Sequence, residues 1–136
     1  MVIYRTLAGF GPMKFTELPS MHPSLTFHHC PNCGHPRKAR LEYSIACEAC
    51  DYLFYLNPAV AAAGLILNEK NQMLFIVRGK NPAKGRWALV GGFVDCGESP
   101  EKALKRECQE EVGITIDAPS YLACYSNTYT YKSIAY

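Results

Sequence analysis

The segment from Gly91 to Ile114, GGFVDCGESPEKALKRECQEEVGI, constrains this chain most, because it joins a glycine turn to a sharply bounded acidic helix. Ser99 is a good N-cap for that helix, and Pro100 suits the first helical position, where its missing N–H is harmless. Gly113 supplies a C-terminal stop. These signals predict a helix over residues 100–112.

The predicted helix gathers acidic side chains on one face. At about 100° per residue, Glu107, Glu110 and Glu111 share an arc of about 100°, while apolar residues occupy the neighbouring arc and can face a core. Clustered carboxylates repel one another, and a divalent cation turns that repulsion into a binding site. Oxygen ligands favour Mg2+ or Mn2+, which can bridge diphosphate oxygens and lower the pKa of an attacking water. Arg106 can pair with Glu110 one turn on, or orient a neighbouring carboxylate.

The same segment resembles the motif of the Nudix hydrolases. That motif reads Gly, five residues, Glu, seven residues, Arg-Glu, an apolar residue, any residue, Glu-Glu, any residue, Gly and an apolar residue. Every fixed position is filled in this chain, by Gly92, Glu98, Arg106, Glu107, Glu110, Glu111 and Gly113. The two apolar positions are taken by Cys108 and Ile114.

The resemblance implies a role for each of these residues. The residues expected to hold Mg2+ or Mn2+ are Glu107, Glu110 and Glu111. The expected catalytic residues are Glu107, Glu110 and Arg106, and the general base is one of the metal-binding glutamates or a glutamate elsewhere. The expected phosphate loop comprises Gly91, Gly92 and Glu98, because glycines let a backbone approach phosphate or metal without an intervening Cβ.

Two CxxC pairs lie upstream of this motif. Cys30 and Cys33 are separated from Cys47 and Cys50 by thirteen residues, and each pair can turn both sulfurs toward one ion. Four soft thiolates complete a closed tetrahedral Zn2+ site, which has no open position and is therefore structural. The spacing resembles a zinc ribbon, which usually carries its two pairs on small β-hairpins. A redox CxxC is the competing interpretation, and the alternative metal ligands are His28, His29 and His35.

The chain divides into three parts on this interpretation. An irregular N-terminal tail over 1–27 precedes the zinc ribbon over 28–56 and a Nudix domain over 57–136. The resemblance implies an α+β fold in which a mixed sheet lies between helices, in an α/β/α Nudix-type arrangement, after the small ribbon module. Because the chain ends on TYKSIAY within a β-type run, we expect the sheet to be incomplete and the Nudix domain to be partial.

Further β-prone runs surround the motif. Ala59–Leu67 and Met73–Arg78 predict two strands of a hairpin joined by a polar turn. A loop over 79–86 and a short strand at Trp87–Val90 lead into the glycines. After the helix, β-type residues return in two segments, Ile114–Ile116 and Tyr121–Tyr131.

A zinc ribbon directly before a Nudix domain resembles the NADH pyrophosphatase branch and its relatives that act on ADP-ribose. That branch carries a Ser-Gln-Pro-Trp-Pro-Phe-Pro-x-Ser signature after the motif. The comparable stretch, Ser126–Ser133, keeps a serine and two alternating aromatics but lacks the prolines and the tryptophan. Tyr129 and Tyr131 are candidates for stacking on an adenine or nicotinamide ring, with simple packing as the alternative.

Composition narrows the class of partner. With 14 basic and 12 acidic residues, the net charge of +2 indicates neither a nucleic-acid nor a membrane partner. Two CxxC pairs without a secretory signal indicate a reducing compartment, so we expect a cytoplasmic protein. The expected partner is a nucleotide-type small molecule, and a homodimer stays open.

Three hypotheses for function remain. The leading one is Mg2+-dependent hydrolysis of ADP-ribose, NAD(H) or a similar compound to AMP and a phosphorylated product. The second is a catalytically silent module that senses a nucleotide while the ribbon binds nucleic acid or protein. The third is an incomplete chain that binds zinc without turnover. Retention of every motif glutamate favours the enzyme, because a pure sensor does not need all the metal ligands.

Overall fold

The computed structural model describes residues 21–38, 40–81 and 83–135. These residues form two compact units, one spanning 59–127 and the other combining 21–58 with 128–135. The first twenty residues of the predicted tail lie outside the described residues. Among the residues that are described, no helix has the length and apolar character needed to cross a membrane.

The described residues contain short strands and one α-helix. The unit with the paired cysteines holds a 3₁₀ turn at Pro23–Thr26 and strands β1 (Ser44–Ala46), β2 (Leu53–Tyr55), β7 (Thr130–Tyr131) and β8 (Ile134–Ala135). The other unit holds β3 (Ala61–Gly64), β4 (Ile76–Val77), β5 (Trp87–Ala88), β6 (Val90–Phe93) and the helix α1 (Pro100–Val112). The strands pair antiparallel as β1–β2, β3–β6, β4–β5 and β7–β8. This combination confirms the α+β class.

Each cysteine pair follows the first arm of a hairpin-like turn. The backbone N–H of Cys30 donates to the carbonyl of His35 at 2.8 Å, which closes the first turn. The backbone N–H of Cys47 donates to the carbonyl of Tyr52 at 3.0 Å and extends the β1–β2 ladder beyond its last residue. The backbone around both pairs is therefore fixed by hydrogen bonds, as a zinc ribbon requires.

The 3₁₀ turn gives order to a segment in which the sequence shows no regular period. The hydroxyl of Ser24 is fully buried, forms a 2.7 Å hydrogen bond with Nδ1 of His22, and accepts from the backbone N–H of Glu42 at 3.2 Å. A buried hydroxyl is tolerated when it is hydrogen-bonded in this way. Because Glu42 lies far along the chain, local periodicity gives no sign of the contact.

The predicted hairpin is present, but its strands are shorter than Ala59–Leu67 and Met73–Arg78. An isolated antiparallel bridge joins Leu67 to Met73 near the turn, and regular strand is confined to β3 and β4. The two strands separate because each has another partner: β3 pairs with β6, and β4 pairs with β5. The predicted strand Trp87–Val90 is likewise divided, at Leu89, between β5 and β6.

The helix spans Pro100–Val112, which confirms its predicted bounds. The hydroxyl oxygen of Ser99 accepts from the backbone N–H of Lys102 at 3.3 Å, and Gly113 ends the helix at a φ of 68°. Its apolar face packs against β3 and β6. The buried core consists of Ala62, Val90, Ala103, Leu104 and Cys108.

The expected β-structure after the helix is mostly wrong. Ile114–Ile116 and most of Tyr121–Tyr131 run as irregular chain, and only Thr130–Tyr131 is a strand. Ile114 and Ile116 still pack against the core as partly buried side chains. Among the described residues Ile114–Ile116 pairs with no other strand, and a β-prone sequence needs a partner strand to form one.

Candidate active site and metal centre

Two glycines of β6 lie where α1 packs against the strand. Gly91 pairs with Ala63 at a φ of 150°, and a Cβ there would lie 2.8 Å from the Cα of Ala63. A Cβ on Gly92 would lie 2.6 Å from the carboxyl carbon of Glu107. Both distances are too short for a real side chain. Gly91 thus allows two backbones to pair, whereas Gly92 allows a helix carboxylate to rest directly on the strand.

Arg106 connects the helix to the loop that precedes it. Its Nε and Nη2 donate to the two oxygens of Glu98 at 3.1 and 3.0 Å. Its Nη1 donates to Glu107 at 2.8 Å and reaches Glu110 at 3.5 Å. Nη2 also donates to the carbonyl of Phe93 at 3.0 Å. The rigid fork of the guanidinium therefore fixes both the loop and two helix carboxylates.

This ion pair alters the acidity of both partners. The hydrogen bond from Arg106 holds the pKa of Glu98 below its ordinary value, although burial acts in the opposite direction, and the backbone N–H of Asp95 adds to the lowering. Hydrogen bonds to Glu98 and Glu107 raise the pKa of Arg106. Both members of the pair are therefore charged throughout the neutral range.

Glu111 has a different partner from the other glutamates of the helix. Its Oε2 accepts a hydrogen bond from the backbone N–H of Gly91 at 3.2 Å. Glu107 and Glu110 point to Arg106 instead, so the three carboxylates do not form a cluster whose oxygens all lie within 4.8 Å among the described residues. Glu107 is largely buried, with 16% of its side chain exposed, and Glu110 is open to solvent at 59%.

The chemistry of this acidic set suits a hard divalent cation. Three carboxylates on one face of α1 offer oxygen ligands, which Mg2+ and Mn2+ prefer over nitrogen or sulfur. Their lone pairs are partly satisfied by Arg106 and by the Gly91 N–H. The side chains of Glu110 and Glu111 are exposed, so an ion can reach them from solvent.

Two partners of Arg106 lie outside the residues singled out from the sequence. One is the carbonyl of Phe93, and the other is the carboxylate of Asp95, 3.7 Å away and 75% exposed. Asp95 is an acid three residues before Glu98, so its loop position was a usable signal. A backbone carbonyl leaves no such signal in a sequence.

The four paired cysteines come together in the other unit. The sulfurs of Cys30, Cys33, Cys47 and Cys50 all lie within 4.8 Å of one another. Cys30 is 3.8 Å from Cys50, and Cys33 is 3.7 Å from Cys47. A tetrahedron with metal–sulfur bonds of about 2.3 Å has edges of about 3.8 Å. The cluster therefore fits a zinc ribbon, and the neighbouring histidines are not part of it among the described residues.

The sulfurs of the cluster differ in acidity. The pKa of Cys30 is lowered to about 6, chiefly because the backbone N–H of Cys33 donates to its sulfur. The pKa of Cys33 is raised to about 12: the N–H of His35 lowers it, but contact with Cys50 and burial outweigh that effect. A thiolate is the form that binds metal, and the lowered pKa of Cys30 favours that form.

Comparison with known proteins supports the Nudix resemblance for the unit that spans residues 59–127. A model of the NUDIX domain matches residues 57–135. An ADP-ribose pyrophosphatase of Methanocaldococcus jannaschii is 49% identical over 76 residues, which is 56% of this chain and 44% of that protein. The NAD-capped RNA hydrolase NudC of Stutzerimonas stutzeri is 35% identical over 95 residues, 69% of this chain and 34% of that protein.

A solved structure is similar as well. The crystal structure of a NUDIX hydrolase from Nitrosomonas europaea superposes with a TM-score of 0.52 at 28% identity, over 62% of this chain and 50% of that one. The chain spans about half or less of the length of each of these proteins.

The structure combines the features of a Nudix domain: strand β6 with its two glycines, the acidic helix α1, and Arg106 bound to Glu98 in the loop between them. The matched family model includes every one of these residues. The chain belongs to the Nudix hydrolase family, and its four-cysteine cluster fits a zinc ribbon upstream of the domain.

Proposed function

We propose that this chain hydrolyses the diphosphate linkage of a nucleotide compound of the ADP-ribose or NAD(H) type. Water adds to one phosphorus, the bridging P–O bond breaks, and AMP leaves with a second phosphorylated product while a base takes the proton. The observation that carries the proposal is the bidentate Arg106–Glu98 pair, which sets the loop beside the acidic face of α1. The similarity to an ADP-ribose pyrophosphatase and to NAD-capped RNA hydrolases supports the substrate class.

Residues of α1 would hold the cation that this reaction uses. The proposed ligands of Mg2+ or Mn2+ are Glu107, Glu110 and Glu111. When bound, the cation neutralises charge on the diphosphate oxygens and makes a water more acidic. Arg106 positions the carboxylates by holding Glu98 and Glu107, and a group that orients ligands contributes to catalysis without touching substrate.

The glycines of β6 would form the surface that meets the diphosphate. The carboxylate of Glu107 fills the space where a Cβ on residue 92 would lie, so the lack of a side chain at Gly92 brings that carboxylate directly against the strand. The N–H of Gly91 is bonded to Glu111 and is a donor that a phosphate oxygen could share. We propose Gly91, Gly92 and Glu98 as the phosphate loop.

The cysteine cluster would hold a structural Zn2+. Four thiolate ligands would fill the coordination of a tetrahedral Zn2+ and leave no open position for a reaction. We propose the ribbon over residues 28–56 and the Nudix domain over residues 57–136. We propose a cytoplasmic location, because two CxxC pairs that hold metal are typical of a reducing compartment.

Hydrolysis is tested by incubating the purified chain with ADP-ribose and NADH, with and without Mg2+, and measuring AMP. We expect Mg2+-dependent AMP release that falls about 100-fold or more in Glu110→Gln, because a carboxylate ligand is lost. Glu69→Gln removes an exposed carboxylate in the hairpin turn and should leave the rate unchanged. Nucleotide binding without turnover on either substrate would show a sensor instead of an enzyme.

The general base is identified by pH profiles of four single variants. These are Glu98→Gln, Glu107→Gln, Glu110→Gln and Glu111→Gln. Loss of the base removes the acidic limb of the rate profile, whereas loss of a metal ligand lowers metal affinity and is partly restored by more Mg2+. If all four variants keep the acidic limb, the base lies elsewhere in the protein.

A further inference from the structure

The loop between β6 and α1 contains a tight turn that joins Asp95 to Glu98. The backbone N–H of Glu98 donates to the carbonyl of Asp95 at 3.0 Å, and Gly97 takes the third position of the turn at a φ of 82°. The side chain of Glu98 bonds back to the turn, because its Oε2 accepts from the backbone N–H of Asp95 at 3.2 Å. The backbone of Asp95 is therefore fixed beside the Arg106–Glu98 pair.

The side chain of Asp95 is less restrained than its backbone. Its carboxylate is 75% exposed, and Oδ2 lies 3.7 Å from Nη2 of Arg106. That separation is within the range of an ion pair but too long for a hydrogen bond. Among the described residues, the ion pairs of Asp95 involve Arg106 alone. Asp95 thus places a negative charge near the guanidinium without bonding to it.

The groups that accept hydrogen bonds from Arg106 are of two kinds. Glu98 and the carbonyl of Phe93 accept from Nε and Nη2, and neither of them is a proposed ligand of the cation. Glu107 and Glu110 accept from Nη1 at 2.8 and 3.5 Å, and both are proposed ligands. The two carboxylates that pair with Nη1 are therefore the ones that a bound cation would take.

Binding of a cation would leave Arg106 with fewer partners. Its side chain is only 28% exposed, so water replaces a lost carboxylate incompletely. A charge that is partly removed from water destabilises the protein unless it is paired. A negative group that pairs with Arg106 only in the cation-bound state would therefore strengthen cation binding, because a ligand favours the state that has the better contacts.

We propose that Asp95 is a positioning residue that pairs with Arg106 when a cation draws Glu107 and Glu110 away. The inference rests on the proposed function, because the cation is the one that the hydrolysis uses. The exposed carboxylate closes from 3.7 Å to the charge-assisted distance of about 2.8 Å. Arg106 then stays bonded to Glu98, and the loop keeps its place beside α1. Asp95 acts through Arg106 and touches neither the ion nor the substrate.

Cation affinity is the first test of this role. The full chain is titrated with Mn2+, and the free ion is measured by electron paramagnetic resonance. Asp95→Asn should weaken Mn2+ binding about fivefold, which is the effect of one ion pair at an exposed edge. Asp117→Asn makes the same change at an exposed position after α1 and should leave the affinity unchanged. A change below about twofold in Asp95→Asn would overturn the proposal.

A double-mutant cycle tests whether Asp95 acts through Arg106. In an Arg106→Gln background, Asp95→Asn should have no further effect on Mn2+ affinity, because the partner of Asp95 is gone. If Asp95 were itself a ligand of the ion, its substitution would weaken binding equally in both backgrounds, and the proposal would be wrong. Circular dichroism establishes which variants are folded. Asp95→Asn alone still tests the proposal if Arg106→Gln does not fold.

Thermal unfolding with and without Mn2+ compares the two states of the pair. Without the ion, the Tm of Asp95→Asn should match that of the unaltered chain, because an exposed carboxylate at 3.7 Å contributes little to stability. At one fixed Mn2+ concentration, the rise in Tm should be smaller in the variant, since stabilisation by a ligand follows its affinity. An equal loss of Tm in both conditions would mean that Asp95 serves the fold alone and would overturn the proposal.

Hydrolysis of ADP-ribose separates a failure of this proposal from a failure of the proposed function. The Mg2+ concentration for half-maximal AMP release should rise about fivefold in Asp95→Asn, which is more than the maximal rate should fall. An unaltered Mg2+ requirement, with AMP release intact, would overturn the role of Asp95 and leave the proposed function standing. Absence of both Mn2+ binding and AMP release in the unaltered chain would overturn both.

Discussion

The cysteine cluster and the acidic face of α1 are both sets of candidate metal ligands, but they differ in how far they are assembled. The four sulfurs already lie within 4.8 Å of one another, and two of their separations match the edge of a zinc–sulfur tetrahedron, on turns fixed by backbone hydrogen bonds. The three glutamates of the helix are instead divided between Arg106 and the N–H of Gly91. The proposed Zn2+ site is closed by the geometry of its turns, whereas the proposed Mg2+ ligands are held by hydrogen bonds that a bound cation would replace.

The largest difference between the two regions should appear when a ligand of the cysteine cluster is lost. Cys50→Ser should lose bound zinc, and the backbone around β1 and β2 should lose its order, because a structural zinc contributes on the order of 10 kcal/mol. Hydrogen exchange over residues 44–55, with metal analysis, measures the change. Cys124→Ser alters an exposed thiol and is the control. Persistent protection of residues 44–55 in Cys50→Ser would show that metal is not the main stabiliser.

The next largest effect is a difference between the two glycines of β6: substitution of Gly91 should lower stability, and substitution of Gly92 should lower activity. Gly91→Ala should lower the free energy of unfolding by about 2–3 kcal/mol, because the new Cβ meets backbone atoms and the φ is unfavourable. Gly92→Ala meets only the end of the Glu107 side chain, which can move, so stability should change little. Displacement of that carboxylate should still reduce hydrolysis about 100-fold. Denaturant unfolding and AMP release on both variants check the pair, and equal losses of stability would contradict it.

A smaller effect is expected in how the stability of the protein depends on pH. The pKa of Glu98 is lowered in the folded protein by its hydrogen bond to Arg106, so the pair contributes stability above the ordinary carboxyl pKa of 4.5. That contribution should disappear as pH falls through the lower pKa of the folded state. We therefore expect the Tm of the unaltered chain to exceed that of Glu98→Gln at pH 6. The two melting curves should converge in strong acid, and a difference independent of pH would exclude the ion pair as its cause.

The smallest effect is expected at the start of α1. Ser99→Ala removes the hydroxyl that accepts from Lys102 and should cost about 1 kcal/mol of stability. Ser126→Ala, an exposed serine outside the regular elements, is the matched control. Urea unfolding of both variants gives the comparison. A cost below about 0.3 kcal/mol at Ser99 would mean that packing alone fixes where the helix begins.

The sequence predicted best the features that are decided by residues close together in the chain. Ser99, Pro100 and Gly113 fixed both ends of α1, since capping is decided within a few residues. The cysteine spacing likewise predicted a cluster that the structure brings together. Capping and each CxxC pair act over one turn of chain, whereas the meeting of the two pairs is implied by the ligand number that a tetrahedral zinc site needs.

What the sequence missed depended on distant partners. Ile114–Ile116 has strand-forming residues but remains irregular, because strand formation needs a partner that local composition does not supply. The carbonyl of Phe93 as an acceptor for Arg106 depends on the path of the intervening loop. The exposure of Phe75 and Val77 was equally hidden, since alternation shows that a strand has two faces without showing which one is covered.

The contact between Gly92 and Glu107 links two positions of the motif that are far apart in sequence. Any side chain at position 92 competes for the volume that the Glu107 carboxylate occupies. Position 92 therefore has to stay glycine as long as a glutamate at position 107 is needed in the site. In a lineage that abandons catalysis, this restriction disappears, and bulkier residues should accumulate at position 92 together with shorter ones at position 107. Paired drift at these two positions would then distinguish descendants that only bind nucleotides from those that still cleave them.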